Sequence, residues 1–357
     1  MQIQPLMGFI ILNKLEDLKM NALERIVSTV NFHESDRVPV IPQVFGHAAA
    51  LSDVPLDEYI QDGNTIARCQ LSALDYYGYD AIFTVVDVNI ETEALGSVLD
   101  YRKNQYAVIK KYALSDDNYN IDHLAVPDCK KSGRMPEILK AINLLKKSLN
   151  NDILIVGCVL GPLTLTTQLL GIEKALYLAI DAPERFEKLL DFSCQVITDF
   201  GLAQISAGAH LPIVFNPSAS PAVIPHQFFR EFEFPRLKKM FHAFKANGSI
   251  ANWLHIAGPS DSILPYYSEI GVNISNFDYC VHPQTAMTAL PHTCLNGNIK
   301  SLAFIDDNAN DIRSASKQLL NTFSKRGGFI LSSGCEIPKE SRSENIAAMV
   351  QAAKLYK

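Results

Sequence analysis

The fold is indicated most clearly by Ile153-Leu-Ile-Val-Gly-Cys-Val159, which a single leucine separates from Gly161-Pro162. It is a short apolar run without polar alternation, which is typical of a strand buried on both faces of a parallel sheet. An amphipathic stretch from Pro183 to Gly208 comes next along the chain, and a second apolar run, Leu211–Phe215, follows it. The order of strand, helix and strand predicts a βαβ unit.

The same alternation extends over most of the 357 residues. Further amphipathic stretches predict helices at Met135–Leu149, Pro225–Ala246, Asn308–Lys325 and Ser341–Tyr356. Eight strand candidates suit a closed barrel, since an open doubly wound sheet more often has about five or six strands. The candidates are Val38–Pro42, Ala81–Val86, Ile153–Val159, Leu211–Phe215, Ile250–Leu254, Asn273–Ile274, Cys294–Asn296 and Phe329–Leu331.

We therefore predict an α/β fold, a (β/α)₈ TIM barrel that forms a single elaborated domain over residues 20–357. The polar, tyrosine-rich region Ser97–Lys131 is expected to form a β-ribbon or loop excursion from the barrel. Residues 1–19 are expected to form an N-terminal extension without an assigned role.

Composition and charge exclude several classes of protein. With 48% hydrophobic and 20% charged residues, the chain has the composition of an ordinary globular protein. A net charge of −6 provides no basic surface for nucleic acid. The seven cysteines show no paired spacing, which indicates reduced thiols in the cytoplasm. No apolar run approaches the roughly 20 residues of a membrane helix, and nucleotide-binding glycine motifs and a G-x-S-x-G elbow are absent.

Polar residues follow the predicted strands at the end where a parallel barrel carries its active site. Asp87, His255 and Cys335 provide a carboxylate, an imidazole and a thiol at this rim, which predicts a metal or acid–base site. They are our candidate catalytic residues. A helix cap, a structural histidine and a buried thiol are the ordinary alternatives for the three. Other residues at these strand ends are Asn216, Asp278, Cys280 and Asn298.

Several short motifs in a fixed order carry a family resemblance. They are Asn21–Arg25 with Asp36–Val40, Asp87 before Leu95-Gly96, Gly161–Thr164, Leu254–Gly258, Gly297–Ile299 and Gly334–Pro338. With them the chain resembles the uroporphyrinogen decarboxylase superfamily and, within it, the corrinoid-dependent methyltransferases. The resemblance implies a TIM barrel with its site at the C-terminal rim.

Two branches of this superfamily differ in the loop after the first strand. In the decarboxylases an arginine-rich loop binds the carboxylates of the porphyrinogen, since several carboxylates need several guanidinium groups. No arginine occurs here between Arg37 and Arg68, and Gly334-Cys335 stands where the decarboxylases place a histidine. The methyltransferase branch is therefore favoured. A decarboxylase for a less carboxylated substrate and a non-catalytic small-molecule binding protein are the alternatives.

In the thiol-methylating branch, a His-x-Cys pair and a later cysteine bind zinc. The resemblance aligns His255 and Cys335 with two of these ligands, but Ala257 stands where the middle cysteine is expected. A catalytic zinc site usually has three protein ligands. The third would have to come from Cys280, Glu336 or Asp278, and the alternative is a site without zinc.

The resemblance further implies the movement of a methyl group between a corrinoid (cobalamin) and a small molecule. The small molecule would be a methoxy or methylamine donor or a thiol acceptor. A separate corrinoid-binding protein is expected to supply the corrinoid, because the chain lacks an Asp-x-His-x-x-Gly loop. Neither nucleic acid nor a membrane is an expected partner, and a homodimer is left open. The expected substrate-binding residues are Asn216, Trp253, Asp278, Tyr279 and Asn298.

Overall fold

The computed structural model describes residues 20–114, 121 and 124–356, so the expected extension at 1–19 lies outside the described residues. Seven parallel strands form one sheet, in which each strand pairs with the next one along the chain. Their bounds are Ala81–Phe83 (β1), Leu154–Leu160 (β4), Leu211–Phe215 (β5), Trp253–His255 (β6), Ile274–Asn276 (β7), Cys294–Ile299 (β8) and Phe329–Ser333 (β9).

A short segment around Val40 closes this sheet into a barrel. Val40 forms a parallel bridge with Leu331, and the Ile41 N–H donates to the Leu331 carbonyl at 2.9 Å. On the other side, the Asp80 N–H donates to the Val40 carbonyl at 2.9 Å. The predicted strand Val38–Pro42 is reduced to this bridge because its two prolines have no N–H to donate to a ladder. The segment still takes the eighth place in the barrel.

Several strand ends differ from the prediction. β1 ends at Phe83 rather than Val86, while β8 continues to Ile299 and β9 to Ser333. β6 was predicted as Ile250–Leu254, but it begins at Trp253 and ends at His255. β7 was predicted as Asn273–Ile274, but it begins at Ile274 and ends at Asn276. The residues at the ends of β6 to β9 that lie beyond the predicted ends are mainly Asn, Ser, Gly and His, which have a low preference for strands. Their assignment to strands depends on the hydrogen bonds between neighbouring strands, which the sequence does not show. His255 and Asn298 therefore belong to strands rather than to the loops after them.

Helices surround the sheet, and the predicted ones are present with ends shifted by a few residues. Met135–Leu149 coincides with the prediction, and Asn308 caps the helix that begins at Ala309. The predicted Pro225–Ala246 helix is interrupted by a π-helical turn at Phe229–Glu233. The helices are Ala22–Val30 (α1), Gly46–Leu51 (α2), Leu56–Tyr59 (α3), Gly63–Tyr77 (α4), Ile90–Ala94 (α5), Met135–Leu149 (α6), Pro162–Leu170 (α7), Ile172–Asp181 (α8), Pro183–Ala207 (α9), His226–Phe228 (α10), Phe234–Ala246 (α11), Tyr267–Ile270 (α12), Pro283–Ala289 (α13), Ala303–Asp306 (α14), Ala309–Phe323 (α15) and Ser343–Leu355 (α16).

The Ser97–Lys131 region contains the expected β-ribbon. Strands Val98–Asp100 (β2) and Val108–Lys111 (β3) pair antiparallel, and the loop between them carries Tyr106. In the described part of the chain, no helix is long and apolar enough to cross a membrane.

A cluster of apolar side chains from the described residues fills the inside of the barrel. The apolar cluster inside the barrel includes Phe83, Val156, Ile213 and Trp253, and all four side chains are at most 1% exposed. Because the interior is packed, a ligand site has to lie at an end of the barrel.

Candidate active site

A cavity of about 230 Å³ lies at the C-terminal rim of the barrel. It brings together Asp87, His255 and Cys335, the three candidate catalytic residues, which are far apart in the sequence. Its walls are largely apolar. The lining residues are Phe45, Val85, Val86, Asp87, Val88, Asn89, Tyr106, Ala107, Phe215, Pro217, His255, Ala257, Cys335 and Glu336.

His255 is the last residue of β6 and lies beside Phe215 of β5, with 4.5 Å between the ring centroids. Its side chain is buried, and neither Nδ1 nor Nε2 has a hydrogen-bond partner among the described residues. Burial lowers the pKa of His255 to about 3. The imidazole is therefore neutral at physiological pH, with one N–H donor and one acceptor nitrogen.

Asp87 is held by a buried arginine at the wall of the cavity. Arg134 donates from Nη1 to Asp87 Oδ2 at 2.6 Å and from Nη2 to Oδ1 at 3.1 Å. The Asn89 N–H also donates to Oδ1, and Arg134 forms a second ion pair with Glu93. This two-point contact fixes the orientation of the carboxylate. Arg134 was not predicted, since it lies 47 residues from Asp87 at the start of α6 and belongs to no motif.

Cys335 and Glu336 follow β9 and lie side by side in the cavity wall. The Cys335 N–H donates to Ser301 Oγ, and that hydroxyl donates to the Cys335 carbonyl, which fixes the loop. Burial raises the pKa of the Cys335 thiol to about 11, so it is protonated at neutral pH. Cys335 is thus a thiol rather than a thiolate in this setting.

Glu336 is bound by a tyrosine from the β-ribbon. Tyr106 donates its hydroxyl to Glu336 Oε1, and the Gly46 N–H donates to the same oxygen at 3.3 Å. Burial raises the pKa of Glu336 to about 7, in the range where a carboxyl group exchanges protons most readily at neutral pH. The sequence named Glu336 only as a metal-ligand candidate, and it gave no signal for Tyr106.

Three predicted substrate-binding residues hold the rim together instead of lining the cavity. Asn216 accepts from the Thr164 hydroxyl at 2.8 Å and donates to Glu233. Asp278 accepts from the Gly258 N–H at 2.7 Å, and Asn298 donates to the Asp278 carbonyl at 3.1 Å. The hydrogen bonds of Asn216 and Asp278 join neighbouring loops at the rim, and Asn298 lines a different cavity, of about 510 Å³.

The other predicted residues also lie away from the cavity lining. Trp253 is fully buried inside the barrel, where its ring centroid is 5.9 Å from that of Phe83. Tyr279 and Cys280 are exposed on the loop after β7. A position near a strand end is therefore not sufficient to direct a side chain into the site.

The residues present do not fit a three-ligand zinc centre. Within the ranges that the structure describes, no group of three His, Cys, Asp or Glu residues is arranged to hold a metal ion. Ala257 lines the cavity with His255 and Cys335, and its methyl group cannot bind a metal. Cys280, a candidate third ligand, is exposed and is not among the cavity-lining residues.

Comparison with known proteins identifies the family. The profile described as Uroporphyrinogen decarboxylase (URO-D) matches residues 21–356. The chain therefore belongs to the uroporphyrinogen decarboxylase family. A solved structure titled as a methyltransferase from Methanosarcina mazei superimposes with a TM-score of 0.86 at 22% identity, over 94% of this chain and 99% of that one. This match confirms the TIM-barrel fold.

Among the relatives, the Methylcobamide:CoM methyltransferase MtbA of Methanosarcina mazei is 27% identical, covering 83% of this chain and 86% of its own. The Methylcobamide:CoM methyltransferase MtaA of Methanosarcina barkeri is 25% identical, covering 93% and 97%. A uroporphyrinogen decarboxylase of Anaeromyxobacter dehalogenans is 22% identical, covering 87% and 90%. The methyltransferase names among these relatives confirm the expectation of a methyltransferase.

Proposed function

We propose that this protein transfers a methyl group between a corrinoid carried by a separate protein and an uncharged small molecule bound in the rim cavity. The observation that carries the proposal is the buried imidazole of His255, which has no hydrogen-bond partner among the described residues and lies at an apolar cavity at the C-terminal rim of the barrel. Membership of a family with methylcobamide-dependent relatives supports the reaction class.

The size of the cavity supports a corrinoid supplied from outside. Pockets for drug-sized ligands measure about 300–1,000 Å³, and a corrin ring with its side chains is larger than such ligands. A cavity of about 230 Å³ has room for the small methylated molecule alone. The corrinoid would then meet the methyl group at the mouth of the cavity.

The charges of the lining favour an uncharged substrate. Among the described residues, the cavity lining includes no lysine or arginine, and its two carboxyl groups are Asp87 and Glu336. Arg134 is occupied by Asp87 and Glu93. Coenzyme M, the acceptor in the relatives' names, carries a sulfonate that would have no cationic partner here. A methoxy donor or an uncharged thiol acceptor fits this environment better.

Methyl transfer requires two groups from the protein, a hydrogen-bond donor to the leaving atom and a group that exchanges a proton. When the methyl group leaves, its bond to oxygen or sulfur breaks, a methyl–cobalt bond forms, and the leaving atom takes a proton. The neutral imidazole of His255 donates a hydrogen bond to the atom on which negative charge develops. Glu336, held by Tyr106, exchanges the proton, since its pKa near 7 suits both directions of transfer.

The test is a spectroscopic assay with cob(I)alamin and a panel of methoxy compounds, together with the reverse assay with methylcobalamin and uncharged thiols. We expect turnover that falls by about 10²-fold or more in His255→Ala, which loses the hydrogen-bond donor. His282→Ala, at the cap of α13, is the matched control and should keep its activity. The proposal fails if neither assay shows transfer, or if the two histidine variants are equally active.

A further inference from the structure

Three polar side chains lie in a row inside the barrel next to the cavity. β6 pairs with β7 at Trp253–Ile274 and Leu254–Ser275, and β7 pairs with β8 at Asn276–Asn296. One step beyond the β6–β7 pairs, His255 stands level with Asn276. Trp253, Ile274 and Cys294 point into the barrel, so by the two-residue period of a strand His255, Asn276 and Asn296 also face inward.

The two asparagines are oriented by hydrogen bonds to each other. Asn276 Nδ2 donates to the backbone carbonyl of Asn296 at 3.2 Å and to Asn296 Oδ1 at 3.0 Å. The backbone contact fixes which end of the Asn276 amide is nitrogen, because a carbonyl only accepts. Asn276 Oδ1 and Asn296 Nδ2 are therefore the ends that remain without a partner among the described residues.

Two more polar groups in the same part of the barrel are unpaired. Neither His255 ring nitrogen nor Trp253 Nε1 has a partner in the described structure, and both residues are at most 1% exposed. Such buried polar groups are rare in folded proteins and are usually satisfied by an internal water. Apart from the His255 ring, these unpaired groups are two donors, Trp253 Nε1 and Asn296 Nδ2, and one acceptor, Asn276 Oδ1.

We propose that Trp253, Asn276 and Asn296 are positioning residues that fix the tautomer of His255 through one internal water. A water molecule accepts two hydrogen bonds and donates two. Accepting from Trp253 and Asn296 and donating to Asn276 leaves one water hydrogen for the inner nitrogen of His255. That nitrogen must then be the acceptor, so the outer nitrogen carries the proton and donates into the cavity.

The role of this tautomer in catalysis rests on the proposed function, whereas the tautomer itself follows from the buried polar groups. The catalytic step described above requires an N–H that faces the leaving oxygen or sulfur, and the buried set supplies it without a charged partner. A carboxylate in the same place would favour the imidazolium and accept the proton at the inner nitrogen instead. The amide pair thus keeps the imidazole neutral and correctly oriented.

The experiment measures the ¹⁵N shifts of the His255 ring in the full chain with labelled histidine, assigned by comparison with His255→Ala. The wild type should show a single tautomer at neutral pH. Asn296→Asp replaces a donor with an acceptor, so the water would donate to both side chains and accept from His255. Because a carboxylate there also favours the imidazolium, we expect the inner nitrogen of His255 to be protonated in this variant, which the ¹⁵N shifts report directly.

Two further variants keep the test decisive. Trp253→Phe removes one donor, leaves a smaller aromatic ring in the barrel and should give a mixture of tautomers, even if Asn296→Asp does not fold. Ser275→Ala, on the opposite face of β7, should leave the wild-type tautomer unchanged. Mixed tautomers in the wild type, or the wild-type tautomer in either folded test variant, would overturn the proposal. Because the shifts need no turnover, they separate this inference from a failure of methyl transfer.

Discussion

At the scale of single residues, Ala257 separates this site from a three-ligand zinc site. It lines the cavity together with His255 and Cys335, so a thiol at this position would complete a set of one imidazole and two sulfurs. We expect Ala257→Cys to bind about one zinc per chain after exposure to zinc and dialysis. Elemental analysis by mass spectrometry checks this.

The matched control is Ala107→Cys, which adds a thiol elsewhere in the same lining. Its zinc content should stay close to that of the wild type, well below that of Ala257→Cys. Equal zinc in the wild type and in Ala257→Cys would contradict this prediction. It would mean that another residue already serves as the third ligand.

The residues of the site differ in how well the sequence predicts them. Asp87, His255 and Cys335 were predicted because each stands at or just after the end of a buried strand, and the cavity contains all three. Asp278 was predicted for the same reason, yet its carboxylate binds the Gly258 N–H. Strand position places a residue at the rim, but the direction of its side chain depends on neighbouring loops that no local pattern describes.

At the scale of elements, the contact of α5 with β4 places a carboxyl group in the protein interior. Glu91 of α5 is buried, and its Oε1 accepts from the Leu160 N–H at 2.9 Å. Burial raises its pKa from 4.5 to about 7. The folded chain therefore binds this proton more tightly than the unfolded chain does, and stability falls as pH rises from about 4.5 to about 7.

Glu91→Gln should remove this dependence, because the amide keeps an acceptor for Leu160 and never ionises. At pH 8 the variant should be more stable than the wild type by about 3 kcal/mol, and the difference should vanish near pH 4. Urea denaturation at both pH values measures it. Glu173→Gln, at an exposed position of α8, is the control. A constant difference at both pH values would contradict this assignment.

The barrel elements were predictable where apolar patterns are strong and were not where polar residues continue a strand. Leu211–Phe215 and Met135–Leu149 have the predicted bounds. β8, in contrast, extends through Gly297 and Asn298, whose preferences do not indicate a strand. The extension matters for function, since the C-terminal ends of the strands carry the site.

At the scale of the whole molecule, the cavity collects residues from segments spread over most of the chain. Phe45 comes from near the start, Tyr106 from the β-ribbon and Glu336 from after the last strand. The net charge of −6 therefore says little about the charge of the cavity. Only the closed barrel shows that two carboxyl groups and no described lysine or arginine line it. This charge balance is the reason for proposing an uncharged acceptor rather than coenzyme M.

Val88 lines the cavity and is 40% exposed, so a longer side chain at this position fits at the mouth and can test for an uncharged substrate. With free methylcobalamin, we expect the wild type to methylate 2-mercaptoethanol with a higher kcat/KM than mercaptoethanesulfonate. Val88→Arg provides a guanidinium for the sulfonate and should raise kcat/KM for that thiol about tenfold, or about 1.4 kcal/mol. The gain should shrink at high salt, because an exposed ion pair is screened. Val88→Gln adds similar length without charge and should show no gain, so an equal gain in both variants, or a wild type that prefers the sulfonate, would count against an uncharged substrate.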